Sequence, residues 1–126
     1  MRKTREILQW TLGILFALAG ANHFVHTEFY VSIMPSYLPW HTALVYISGI
    51  AEITLGVMLF IRRVERLAAW GMIALVLAVT PANVQMALHP ELYPGYSPSA
   101  LWARLPLQGV LIAWAFWFTR PRRKEE

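Results

Sequence analysis

The chain has 126 residues, 57% of them hydrophobic and 14% charged, with a formal net charge of +4 and no cysteine. A composition this apolar excludes an ordinary soluble domain. The absence of cysteine excludes disulfides, thiolate-held metal, covalent haem and dithiol redox chemistry within the chain. The basic residues flank apolar stretches, where they read as topology signals and contacts to anionic lipid, so no nucleic-acid partner is expected.

Four apolar stretches follow in order, at about residues 7–24, 42–61, 67–88 and 100–119, each near the roughly 20 residues that cross a hydrocarbon core. The expected fold is an all-α integral membrane protein, an antiparallel bundle of four transmembrane helices forming one domain over residues 1–126. Arg2, Lys3 and Arg5 precede the first span, Arg62, Arg63 and Arg66 separate the second from the third, and Arg120, Arg122, Arg123 and Lys124 follow the fourth. The outer loops, 25–41 and 89–99, contain neither Lys nor Arg. The positive-inside rule therefore places both termini in the cytoplasm. Trp40, Trp102, Tyr30, Tyr37, Tyr93 and Tyr96 mark an outer aromatic belt, and Trp10, Trp70 and Trp117 an inner one.

The first span carries Gln9, Phe16, Gly20 and His23 on one face, with Ile7, Ile14 and Leu18 opposite. Its basic start and Ala19-Gly20-Ala21 also fit a cleavable signal peptide. The segment is read as retained, because removal would discard a helix whose polar end completes the bundle. The proline- and aromatic-rich outer loops are expected to be ordered caps at the membrane interface.

In the second span Ser48, Gly49, Glu52 and Gly56 share a face, with Ile47, Ile50, Val57 and Ile61 opposite. Glu52 falls roughly 15 Å along the span, close to the midplane, and so points into the bundle. Gly13, Ala17, Gly20, Gly49 and Gly56 are candidates for close helix approach. A five-residue turn, 62–66, makes the second and third spans antiparallel neighbours.

The third span places Thr80 and Asn83 beside Pro81, whose missing donor frees a carbonyl one turn earlier. In the fourth, Arg104 and Gln108 lie one turn apart, and Arg104 is the natural counter-charge for Glu52 or for a bound molecule. His23, Ser48, Glu52, Asn83, Arg104 and Gln108 are thus the candidate ligand-binding residues, converging from four helices on a cavity in the outer half, with the cytoplasmic half apolar. His23, His26, Glu28, His41, His89 and Glu91 share a depth without a metal-specific spacing, and no metal site is assigned. No GxSxG, P-loop, HExxH or Rossmann pattern occurs, so no catalytic residue is assigned.

The run Gly20-Ala21-Asn22-His23-Phe24, with Met34-Pro35, Leu38-Pro39, Ser48-Gly49, Glu52, Gly56 and Pro81-Ala82-Asn83, resembles the DoxX-like family of small four-helix membrane proteins. The resemblance spans nearly the whole chain. It implies a four-helix bundle in the bacterial cytoplasmic membrane and matches recurrent family positions at His23, Ser48, Glu52 and Asn83. The family name comes from a subunit of a thiosulfate-oxidising, quinone-reducing system. The expected function is to bind a small amphipathic molecule such as a quinone, as an accessory to a redox system, with lipid, a membrane-protein partner or a second copy as company. A proton-coupled small-molecule transporter and a purely structural subunit are the alternatives.

Overall fold

The computed structural model describes residues 2–34 and 37–121. Pro35, Arg122, Arg123 and Lys124, which enter the sequence expectations above, lie outside the described residues. Four long helices account for most of the chain: α1 (Arg2–Val25), α3 (His41–Met58), α4 (Glu65–Leu88) and α5 (Pro98–Trp117), with a short α2 (Thr27–Ser32) after α1 and a single 3-10 turn at Pro90–Leu92. No strand occurs among the described residues. The expected spans fall within a few residues of these helices. The differences arise because helical hydrogen bonding continues past the apolar run into Arg5 and Glu65 at helix starts, and stops short at Met58, where Phe60 and Ile61 donate to carbonyls three residues back.

Local chemistry explains the ends. The Ser97 hydroxyl accepts from the Ala100 amide at 3.2 Å, and Pro98 occupies the first turn of α5, where its missing donor costs nothing. Thr27 folds its hydroxyl onto the His23 carbonyl at 2.8 Å, which closes α1 before the chain reverses into α2. Trp40, at the start of α3, holds φ 51° and ψ 52°, a left-handed conformation that a bulky side chain adopts only under constraint.

Lys3–Val25, His41–Met58 and Glu65–Leu88 are each long and apolar enough to cross a membrane. The fourth long helix, α5, is of comparable length, but Arg104, Gln108, Pro98 and Pro106 dilute its apolar character. Ile7, Ile14 and Leu18 on α1, Ile47, Ile50 and Val57 on α3, Leu67 and Leu77 on α4, and Leu107 and Val110 on α5 all face outward and are exposed. Continuous apolar surface on every long helix suits a lipid bilayer and would be a liability in water.

Packing is pairwise. α1 lies along α3, α4 lies along α5, and the α3–α4 contact joins the two pairs. The α1–α3 contact is backbone to backbone. A β-carbon on Gly20 would come within 2.5 Å of the Gly49 carbonyl oxygen, and one on Gly56 within 2.5 Å of the Gly13 oxygen. Gly20 therefore opposes Gly49 and Gly13 opposes Gly56, an antiparallel register with small residues seven apart on both helices.

One end of this arrangement is a dry core. Leu12 and Phe16 of α1, Leu59, Ala68, Met72 and Val76 around the α3–α4 turn, and Ala115 and Phe118 at the end of α5 are all buried together. A smaller cluster of Ile33, Met86, Tyr93 and Leu101 sits under the loops at the other end. The expectation that this end of the bundle is apolar is corrected here. Arg5 and Glu65 form a buried pair at 3.3 Å, with side chains only 3% and 4% exposed. Arg5 also donates to the Arg120 carbonyl at 3.2 Å and stacks over the Phe118 ring. Gln9 donates to the Leu59 carbonyl at 2.7 Å, and the Trp114 indole donates to the Leu8 carbonyl at 3.1 Å. These bonds tie α1 to the ends of α3 and α5 and to the start of α4.

Candidate functional site

The glycine register sets the geometry of the site. His23 and Glu52 each lie three residues past the Gly20–Gly49 pair on antiparallel helices, so their backbones are roughly 9 Å apart along the helix axes, at 1.5 Å per residue. Side chains on a helix lean toward its N-terminus. α1 and α3 are antiparallel, so His23 leans inward, Glu52 leans outward, and the two meet. His23 Nδ1 stands 3.2 Å from Glu52 Oε2, with the side chains 10% and 19% exposed.

His23 Nδ1 is also 2.8 Å from the Ala19 carbonyl oxygen. A carbonyl can only accept, so Nδ1 carries a hydrogen, and that hydrogen points back along α1. Glu52 Oε2 therefore lies beside the ring nitrogen without a hydrogen bond in line, and it is a buried oxygen with no hydrogen-bond partner among the described residues. Leaving such an atom unpaired costs about 1–3 kcal/mol, and more for a charged group. A buried oxygen of this kind calls for an explanation in the protein's function.

Tyr30, from α2, covers the imidazole. Its ring stacks on His23 with centroids 4.0 Å apart and planes 12° from parallel. The Asn22 amide donates to the Tyr30 hydroxyl at 2.8 Å and holds the ring in place. The cluster thus consists of a carboxyl group, an imidazole and a stacked phenol, presented by α3, α1 and α2 in turn.

The remaining expected residues distribute differently. Gln108 is buried, and its side-chain oxygen accepts from the Thr80 hydroxyl at 3.0 Å, which joins α4 to α5. The same hydroxyl hydrogen is shared with the Val76 carbonyl at 2.9 Å, one turn back and next to the gap left by Pro81. Asn83 is buried and Ser48 half-buried, neither with a side-chain hydrogen bond among the described residues. Arg104 is half-buried and forms no ion pair among the described residues. Of the two roles expected for Arg104, counter-charge to Glu52 is not the arrangement found among the described residues, where the titratable group beside Glu52 is His23. The reason is the pairwise packing, which seats α5 on α4 and leaves α1 as the principal neighbour of α3.

His89 Nδ1 lies 3.4 Å from Glu91 Oε1 as an exposed pair in the second loop. Among the described residues no three histidine or acidic side chains come close enough to hold a metal ion.

Sequence reasoning missed Tyr30 and Asn22 as members of the cluster, and Arg5 and Glu65 as a buried pair. Arg5 had a signal: it continues the stripe of Gln9, Phe16, Gly20 and His23 by one more turn, which marks it as inward-facing. Tyr30 had none, because its position depends on the chain reversal at His26.

The family described as "Domain of unknown function (DUF8561)" matches residues 12–119. That stretch holds both glycine pairs, His23, Tyr30, Glu52, Thr80 and Gln108. No curated protein and no solved structure matches the chain.

Proposed function

This chain belongs to the DUF8561 family, and we propose that it is a bacterial inner-membrane protein of four spanning helices that binds the polar head of a small amphipathic molecule. The observation that carries the reading is the buried Glu52 oxygen without a hydrogen-bond partner, set beside His23 in a helix region otherwise suited to lipid. An intramembrane carboxyl group is costly, and an unpaired one is tolerated where something binds.

The topology belongs to the same proposal. With both termini cytoplasmic, α1 and α4 run outward and α3 and α5 inward, the antiparallel sense of the Gly20–Gly49 and Gly13–Gly56 pairs. The His23–Glu52 cluster then opens toward the outer leaflet under α2. The resemblance of the His23, Ser48, Glu52 and Asn83 positions to the DoxX-like pattern supports a quinone as the ligand, with the chain as accessory to a redox system. The two redox forms of such a ring suit the carboxyl group in turn: a quinol hydroxyl can donate to Glu52 Oε2, a quinone carbonyl would accept from Glu52 when it carries a proton, and the apolar tail would lie in lipid.

The test is extraction of ligand from protein purified in mild detergent, followed by mass spectrometry. Wild-type protein should retain a stoichiometric quinone or quinone-like lipid, and Glu52→Gln and His23→Leu should lose it. Retention that is equal in all three proteins would rule the site out.

The two neighbouring proton-accepting groups of His23 and Glu52 favour one second reading, a proton-coupled transporter. Proton-driven uptake in proteoliposomes that disappears in Glu52→Gln would establish it. Silence across pH values and substrates would discard it.

A further inference from the structure

The opposite end of the molecule carries a second arrangement, built from groups the outer site does not use. Arg66, in the first turn of α4, donates through Nε to the Thr119 carbonyl at 2.9 Å. That bond fixes its guanidinium at the end of α5, one residue from Arg120. The Arg120 guanidinium lies over the Phe116 ring at 5.3 Å. Phe116 in turn meets the Trp70 ring edge-on, at 6.0 Å and 80°. The Arg120 backbone is itself held, because its carbonyl accepts from the buried Arg5.

Two guanidinium groups therefore lie at the same end of the α4–α5 pair, and among the described residues neither has an acidic partner. Among the described residues Arg66 spends one N–H on Thr119 and Arg120 spends none. Neither forms an ion pair among the described residues, and the nearby Glu65 is taken by Arg5. Both arginines are exposed, and so are Trp70 and Phe116 beneath them. Paired guanidinium forks suit an anion with two oxygens in one plane, and the exposed aromatic wall suits the start of acyl chains.

We propose that Arg66 and Arg120 form a binding site for the phosphodiester of one anionic phospholipid, whose chains descend along Trp70 and Phe116 on the α4–α5 face. Charge complementarity selects the occupant. The site presents two unneutralised cations at the depth of membrane headgroups, beside surface that only hydrocarbon covers comfortably. A free phosphate would use the arginines and leave the aromatic wall uncovered.

Native mass spectrometry of the full chain, with equimolar phosphatidylglycerol and phosphatidylcholine of matched acyl length, tests this. Wild-type protein should hold one phosphatidylglycerol with about tenfold or greater preference. Arg66→Gln with Arg120→Gln should abolish the preference, and Arg62→Gln with Arg63→Gln, in the neighbouring exposed turn, should leave it. Arg120→Gln alone removes a side chain with no polar contact among the described residues, so it should keep the melting temperature and still reduce the preference several-fold. Millimolar inorganic phosphate should not displace the lipid. Equal losses from the two double variants, displacement by phosphate, or no preference in the wild type would each overturn the proposal. Glu52→Gln should leave the lipid in place, which separates this site from the outer one.

Discussion

Two pairs of charged or titratable side chains lie inside the protein, one at each end, and they are held very differently. Arg5 and Glu65 are almost wholly buried, and Arg5 is further engaged by the Arg120 carbonyl and the face of Phe118. His23 and Glu52 are as close, yet the imidazole hydrogen goes to Ala19 and a carboxyl oxygen is left without a partner. The first pair is joined by a direct hydrogen bond from Arg5 to Glu65 and clamps three chain segments together, α1, the start of α4 and the end of α5. The second retains unspent hydrogen-bonding capacity, and that is what a binding site needs before its ligand arrives. Burial of charge alone does not distinguish the two pairs; whether the partners hydrogen-bond each other does.

Substitutions sharpen this comparison, and the largest effect belongs to the clamp. Glu65→Ala strands the Arg5 guanidinium in a closed environment and should cost about 3–5 kcal/mol, read as a fall in midpoint in denaturant titration of detergent-solubilised protein. Arg5→Met with Glu65→Leu removes both charges and should recover most of the loss. The α1–α3 seam comes next. Gly20→Ala forces a methyl group against the Gly49 carbonyl and the Ile53 backbone, and should cost about 1–3 kcal/mol on the same scale. Gly95→Ala meets nothing within 4 Å and should be silent.

The Thr80–Gln108 bond is smaller still. Thr80→Val should lower stability by about 0.6 kcal/mol, the average for interhelical hydrogen bonds in membranes, and a cycle with Gln108→Leu should recover the coupling. A coupling near zero would mean that Thr80 is satisfied by Val76 alone.

The long-range features of the fold were legible where one period or one kind of residue decides them. The outward Ile7, Ile14, Leu18, Ile47, Ile50 and Val57 followed from helical spacing, and Gly20 and Gly49 stood out as small residues suited to close approach, though their pairing with each other comes from the packing. Within the site, Glu52 was conspicuous because a carboxylate in an apolar run has so few explanations. Its partner was not legible. Arg104 and His23 were both placed in the outer half by sequence depth, and only the packing order, α1 on α3 and α5 on α4, decides between them. Arg5 looked like one more basic residue at a membrane edge, because sequence alone does not show that the end of α5 and the start of α4 close over it. Tyr30 was hidden by the reversal at His26, which brings it back onto His23 by a turn rather than by a period.

The most direct measurement of the difference between the two pairs is the thermal stability of wild-type and Glu52→Gln protein, with and without a short-chain quinone. If the outer pair is a binding site, Glu52→Gln melts within a degree or two of wild type without ligand, and only the wild type gains stability as quinone is added, by the mass-action increment that binding to the folded state requires. A Glu52→Gln protein that is destabilised like Glu65→Ala, or that responds to quinone as the wild type does, would contradict it.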